Sequence, residues 1–149
     1  MERRGNLAVL AGSLRLPADE RRLLIEAALA LTRASLELRV LPSSRVVGLL
    51  GAHRGVESDG AVGSAERGEA ELVGRMVSRV ASRLPWAPSC LRQALAAQRM
   101  LRRRQIDSSL HLGVTGPHEA TAHAWVTVGG QPIVGGAGLD RYVPLAAFR

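Results

Sequence analysis

Apolar residues change their spacing near Ile106: before it they recur every three or four positions, and after it they alternate with polar ones. The two periods bury different faces, so the chain must build helices first and strands second. Leu23, Ala27, Ala30, Leu31, Ala34 and Leu38 share one face of a first helix, which starts after Pro17 and ends at Pro42. A shorter helix is expected over Ser43–Leu50, with Gly51 as its stop. Gly51–Gly68 is rich in Gly, Ser and charge and reads as a flexible loop. It does not read as a domain linker, because the residues before it would make only a thin core. A third helix is expected over Glu69–Leu84, with Leu72, Val73, Met76, Val77 and Val80 on one face, and stops at Pro85. The turn PWAPS follows, in which Ser89 suits the N-cap of a fourth helix over Cys90–Arg104. That helix ends in three arginines, where cations complement its dipole.

Beyond Ile106, Leu110, Leu112 and Val114 alternate with Ser109, His111 and Gly113, and His123, Trp125 and Thr127 alternate with Ala124, Val126 and Val128. Gly129-Gly130 is a two-residue hairpin turn leading into Gln131–Val134, and Tyr142-Val143 is a candidate short last strand. The fold class is α+β: N-terminal helices followed by a small antiparallel sheet. A length of 149 residues fits one domain.

Composition removes several functions. The net charge is +7, and every basic residue is Arg, since the chain contains no Lys. Such a surface can steer toward anions. Only Trp86, Trp125, Tyr142 and Phe148 could stack on bases, so a bias toward Arg with solvated helix faces is favoured over a nucleic-acid site. The single cysteine excludes an intramolecular disulfide, and no CxxC or Cys/His cluster suits a metal. The N-terminal apolar run is too short for a secretory signal, and no stretch approaches the roughly 20 apolar residues of a membrane span. A soluble, cytoplasmic protein is expected.

Two residues carry the candidate chemistry. Cys90 falls in the first turn of a helix, where unpaired N–H groups and the dipole favour a thiolate and can hold an oxyanion. The alternative is a buried cysteine acting as a small hydrophobe. His123 lies mid-strand between Ala122 and Ala124, small neighbours that allow close approach, and an imidazole there can serve a helix-borne thiol as base. The alternative is a satisfied histidine on a half-buried strand. His53 falls in the loop, His118 in a turn after Pro117, and His111 on a strand without an evident catalytic neighbour.

The ordered set Pro85-Trp86, Ser89-Cys90-Leu91, Ala94-Leu95, Leu101-Arg102-Arg103, Leu112-Gly113-Val114 and Ala122-His123-Ala124-Trp125-Val126 resembles the leader peptidases of lasso-peptide biosynthesis. These belong to the transglutaminase-like group of papain-related cysteine proteases. The resemblance covers about Leu84 to Val134, and less specifically the N-terminal helices. It implies a papain/transglutaminase-like core over 69–149, preceded by a helical region over 1–68. It also implies removal of the N-terminal leader from a ribosomally made precursor peptide, with Cys90 as nucleophile, His123 as base and no cofactor. The implied partners are a separate leader-binding protein (a RiPP recognition element) and the asparagine-synthetase-like cyclase that closes the macrolactam. Arg92, Arg99 and Arg102–Arg104 could contact an acidic leader, though a solvated helix end is the commoner meaning of such a run.

The pattern departs from the family at the third member. The resemblance implies an Asp on the return strand, as many relatives carry there, where this chain has Gly135. Three groups can orient His123 instead: Asp140 from the next loop, Gln131 as an amide, or a backbone carbonyl. Asp140 ranks first, because an anion stabilises imidazolium better than an amide. A Trp86 indole N–H is a further candidate for the oxyanion.

Overall fold

The computed structural model describes residues 16–42, 45, 48, 53–54, 60–116 and 121–149. Most of the short helix expected over Ser43–Leu50 and most of the stretch 51–59 lie outside the described residues, as does His118. Helix α1 spans Ala18–Val40, with Asp19 and Glu20 in its first turn and Arg39 in its last, each sign matched to the nearby end of the dipole. It stops at Leu41, whose extended backbone is the conformation that the following Pro42 favours.

Helix α2 spans Ser64–Ala81 and so begins before Glu69. Ala65, Glu66 and Arg67 are good helix formers, and Glu66 suits the first turn, so the helix extends back across Gly68. It ends early, where the Ser82 hydroxyl turns back to donate to the Arg79 carbonyl at 2.9 Å. Helix α3 spans Cys90–Arg103. Ser89 holds the N-cap position with extended backbone, but its side chain makes no capping bond. The Gln93 amide instead donates to the Pro88 carbonyl at 2.8 Å. At the other end Gln105 takes a left-handed φ of 58°. The Ile106 and Gln105 N–H groups then reach back to the Leu101 and Arg102 carbonyls, a Schellman motif that turns the chain into the sheet.

The sheet has five strands in the order β1-β5-β2-β3-β4: β1 His53–Arg54, β2 Ser109–Val114, β3 Ala122–Val128, β4 Gln131–Val134 and β5 Val143–Phe148. All neighbours are antiparallel. The β3–β4 hairpin turns on Gly129 and Gly130, both left-handed at 57° and 76°, as a type I′ turn requires. Strand β5 runs through to Phe148 and lies between β1 and β2. Strand β1, in the stretch read as a loop, pairs with Ala147 and Phe148.

Helix α1 packs on α2 and α3, α3 packs on β3, and α2 on β4. Leu31, Val73, Val77, Leu95, Leu101, Leu110 and Val126 fill the core between them with no exposed surface. Polar ties fix the layers. Gln98, buried on α3, donates to the Phe148 carbonyl at 3.1 Å. Arg104 grips Glu26 of α1 through two nitrogens, at 3.0 and 2.6 Å. Gly74 is required where α2 meets β4, because a Cβ there would collide with the Ile133 carbonyl.

Candidate active site

Cys90 is the first residue of α3, part-exposed and packed on its inner side against the core. The first intrahelical bond there runs from the Gln93 N–H to the Ser89 carbonyl at 3.0 Å. The N–H groups of Cys90, Leu91 and Arg92 therefore lack an acceptor within the helix and point out of its end, beside the thiol. That cluster of donors is the local feature suited to an oxyanion.

His123 is the second residue of β3, half-buried, on the strand that α3 packs against. Its Nε2 lies 2.8 Å from the carbonyl oxygen of Gly135. A carbonyl can only accept, so Nε2 is the donor in this bond, and in the neutral ring the lone pair lies on Nδ1. Two aromatic rings hold the imidazole plane. Tyr142 stacks at 4.8 Å between centroids, and Trp125 at 6.1 Å. Trp125 is itself stacked on His111 at 5.2 Å, and His111 Nε2 lies 2.8 Å from Thr127 Oγ1. The cross-strand register that sets His111 opposite Trp125 gives His111 a place in this array, which its strand position alone did not reveal.

Gly135 explains its own presence. It adopts φ 74°, and a Cβ there would lie 2.7 Å from the Ala124 carbonyl oxygen and 3.1 Å from Trp125 Cβ. Only glycine fits, and the resulting backbone twist delivers its carbonyl to the ring. The expected third member, Asp140, does not take that place. It sits exposed in a short 3-10 turn over Leu139–Arg141 and makes no hydrogen bond to His123 among the described residues. Gln131 is likewise exposed, paired with Val128 at the start of β4. Trp86 is 46% exposed in the turn before α3.

The structure puts the cysteine-bearing helix and the histidine-bearing strand side by side, but among the described residues no hydrogen bond joins Cys90 to His123. Strand alternation gives part of the reason. His123, Trp125 and Thr127 share the face opposite Ala124, Val126 and Val128, and those three enter the helix-packed core.

Among the described residues, three helices precede an antiparallel sheet, with a cysteine opening the last helix and a histidine on a strand that this helix packs against. The chain belongs to the transglutaminase-like superfamily, whose profile matches residues 28–147 and whose members are generally cysteine proteases or transferases. No curated protein and no solved structure matches it. Among the described residues no helix is long and apolar enough to cross a membrane, and no group of three or more His, Cys, Asp or Glu could hold a metal ion.

Proposed function

We propose that this protein is a cysteine peptidase that removes the leader from a ribosomally synthesised lasso precursor peptide. The freed N-terminal amine then enters macrolactam closure by a separate asparagine-synthetase-like cyclase. The observation that supports the chemistry best is the His123 Nε2–Gly135 carbonyl bond, which leaves Nδ1 as the base on the strand beside Cys90. Cys90 Sγ attacks the scissile carbonyl carbon while Nδ1 takes the thiol proton. The N–H groups at the start of α3 hold the oxyanion. As the C–N bond breaks, Nδ1 returns the proton to the leaving amine. Water then attacks the thioester, its proton passing to Nδ1 and on to the departing Cys90 sulfur. A separate leader-binding protein presents the precursor, and the reaction takes place in the cytoplasm.

The superfamily also contains transferases, in which an amine replaces water at the thioester. The absent Cys90–His123 hydrogen bond favours a third reading, an adaptor that keeps the fold without turnover. One set of measurements separates the three. Incubated with precursor and leader-binding protein, the wild-type chain is expected to release free leader by mass spectrometry, and Cys90→Ala and His123→Ala to release none. An amine adduct of the leader in place of the free acid selects the transferase. Alkylation of Cys90 no faster than that of a free thiol at neutral pH, together with no cleavage, selects the adaptor.

A further inference from the structure

The chemistry above leaves the outward face of α1 unused. Ile25, Leu29, Leu36 and Val40 are 62%, 67%, 58% and 73% exposed, while Ala27, Leu31 and Ala34 on the opposite side are fully buried. At 3.6 residues per turn the four exposed side chains fall along one narrow stripe. With Leu29 and Leu36 as a positions, Ile25 and Thr32 occupy d positions, which is the spacing of a seam between two helices. Arg22 and Arg39 continue that seam at its two ends, and Arg21 and Arg33 flank it, all four exposed. Arg21, Arg22 and Arg39 form no ion pair among the described residues. The mid-helix carboxylates are already partnered: Glu26 is held by Arg104 of α3, and Glu37 by Arg99 of α3 and, at 2.7 Å, by Arg33 of its own helix. Around the stripe the exposed charge is therefore mainly positive, Arg21, Arg22 and Arg39 against the one exposed carboxylate of α1, Asp19 in the first turn.

We propose that this face docks an amphipathic helix of another protein, apolar at its central a and d positions and acidic at both ends and flanks. A second copy of the chain does not meet that requirement. Antiparallel pairing sets Arg22 against Arg39 and parallel pairing sets each against itself, so like charges meet in either orientation. A bilayer surface does not meet it either, because α1 carries no aromatic residue for the interface and its other apolar face is already packed in the core.

The test uses the full chain and a synthetic helical peptide with Leu at a and d and Glu at e, g and the terminal seam positions. A matched peptide with Lys in place of Glu serves as control. The Glu peptide is expected to bind at least about tenfold tighter than the Lys peptide. Leu29→Asp/Leu36→Asp should abolish binding without changing the thermal midpoint, since both side chains are exposed. Arg22→Glu/Arg39→Glu should reverse the peptide preference. Equal or absent binding of the two peptides overturns the proposal. So does preferential binding to phosphatidylserine vesicles, or a dimer in sedimentation that Leu36→Asp dissolves. Cys90 alkylation, which reports the peptidase reading separately, should be the same in every α1 variant.

Discussion

The carbonyl of Gly135 and the rings of Tyr142 and Trp125 fix the orientation of one imidazole, and each can be tested singly. Gly135→Ala forces a Cβ to 2.7 Å from the Ala124 carbonyl at a left-handed φ, so backbone and carbonyl must shift. Destabilisation of about 1–3 kcal/mol is expected by denaturant melt, with a slower alkylation of Cys90. A Gly135→Ala protein as stable and as reactive as wild type would sink the positioning argument. Tyr142→Phe keeps the stack at 4.8 Å and should preserve cleavage, whereas Tyr142→Ala should slow it severalfold. Asp140→Ala, which removes no contact to the ring, should leave both cleavage and alkylation unchanged; a large loss would restore Asp140 as the orienting group. Cys90 and His123 were legible as candidates because a helix start and a strand alternation are both written in local spacing. The sequence also flagged Gly135 as a departure, but the aim of its carbonyl depends on a backbone dihedral that side-chain patterns do not encode. Tyr142 was unreadable for a different reason: its contact crosses the 3-10 turn and joins elements far apart in the chain.

At the level of elements, local pattern was a good guide wherever a face is buried and a poor one at boundaries. Helices α1 and α3 and the Gly129-Gly130 hairpin follow directly from periodicity and turn chemistry. Strand β1 is two residues long, too short to show any alternation, and exists because β5 offers it an edge. Likewise, α2 reaches back to Ser64 because helix propensity persists across a single glycine that a composition-based reading takes for loop. The Schellman motif closing α3 supplies a prediction of its own. Gln105 is exposed and pays for a φ of 58° that glycine adopts freely. Gln105→Gly should raise stability by about 0.5–1 kcal/mol, read as a higher thermal midpoint, despite replacing a better helix former.

Across the whole molecule, α1 and α3 are joined by carboxylate–guanidinium contacts. Hydrogen bonding from Arg104 holds the Glu26 carboxyl below its usual 4.5, against an opposing push from burial and with help from the charges of Arg104 and Arg103. Burial pushes Glu37 upward, but hydrogen bonds and charge from Arg33 and Arg99 outweigh it and its carboxyl is lowered as well. A carboxyl lowered on folding contributes stability that is complete above its unfolded value and is lost as pH falls through the folded one. Thermal midpoints should therefore hold between pH 7 and 5 and drop below pH 4.5. Glu26→Gln should lower stability at pH 7 by about 1 kcal/mol and flatten the acid limb of the profile. An unchanged acid limb in Glu26→Gln would assign that sensitivity elsewhere.

Because the acceptor at His123 belongs to the main chain, it has no side chain for alanine scanning to remove. Side-chain substitution can displace that oxygen but never delete it. A search for an orienting side chain beside His123 would miss its partner, because the Gly135 carbonyl is present whatever the side chain and is aimed by the turn alone. A carboxylate is therefore not needed to orient this ring, provided glycine remains where the backbone crosses Ala124 and Trp125.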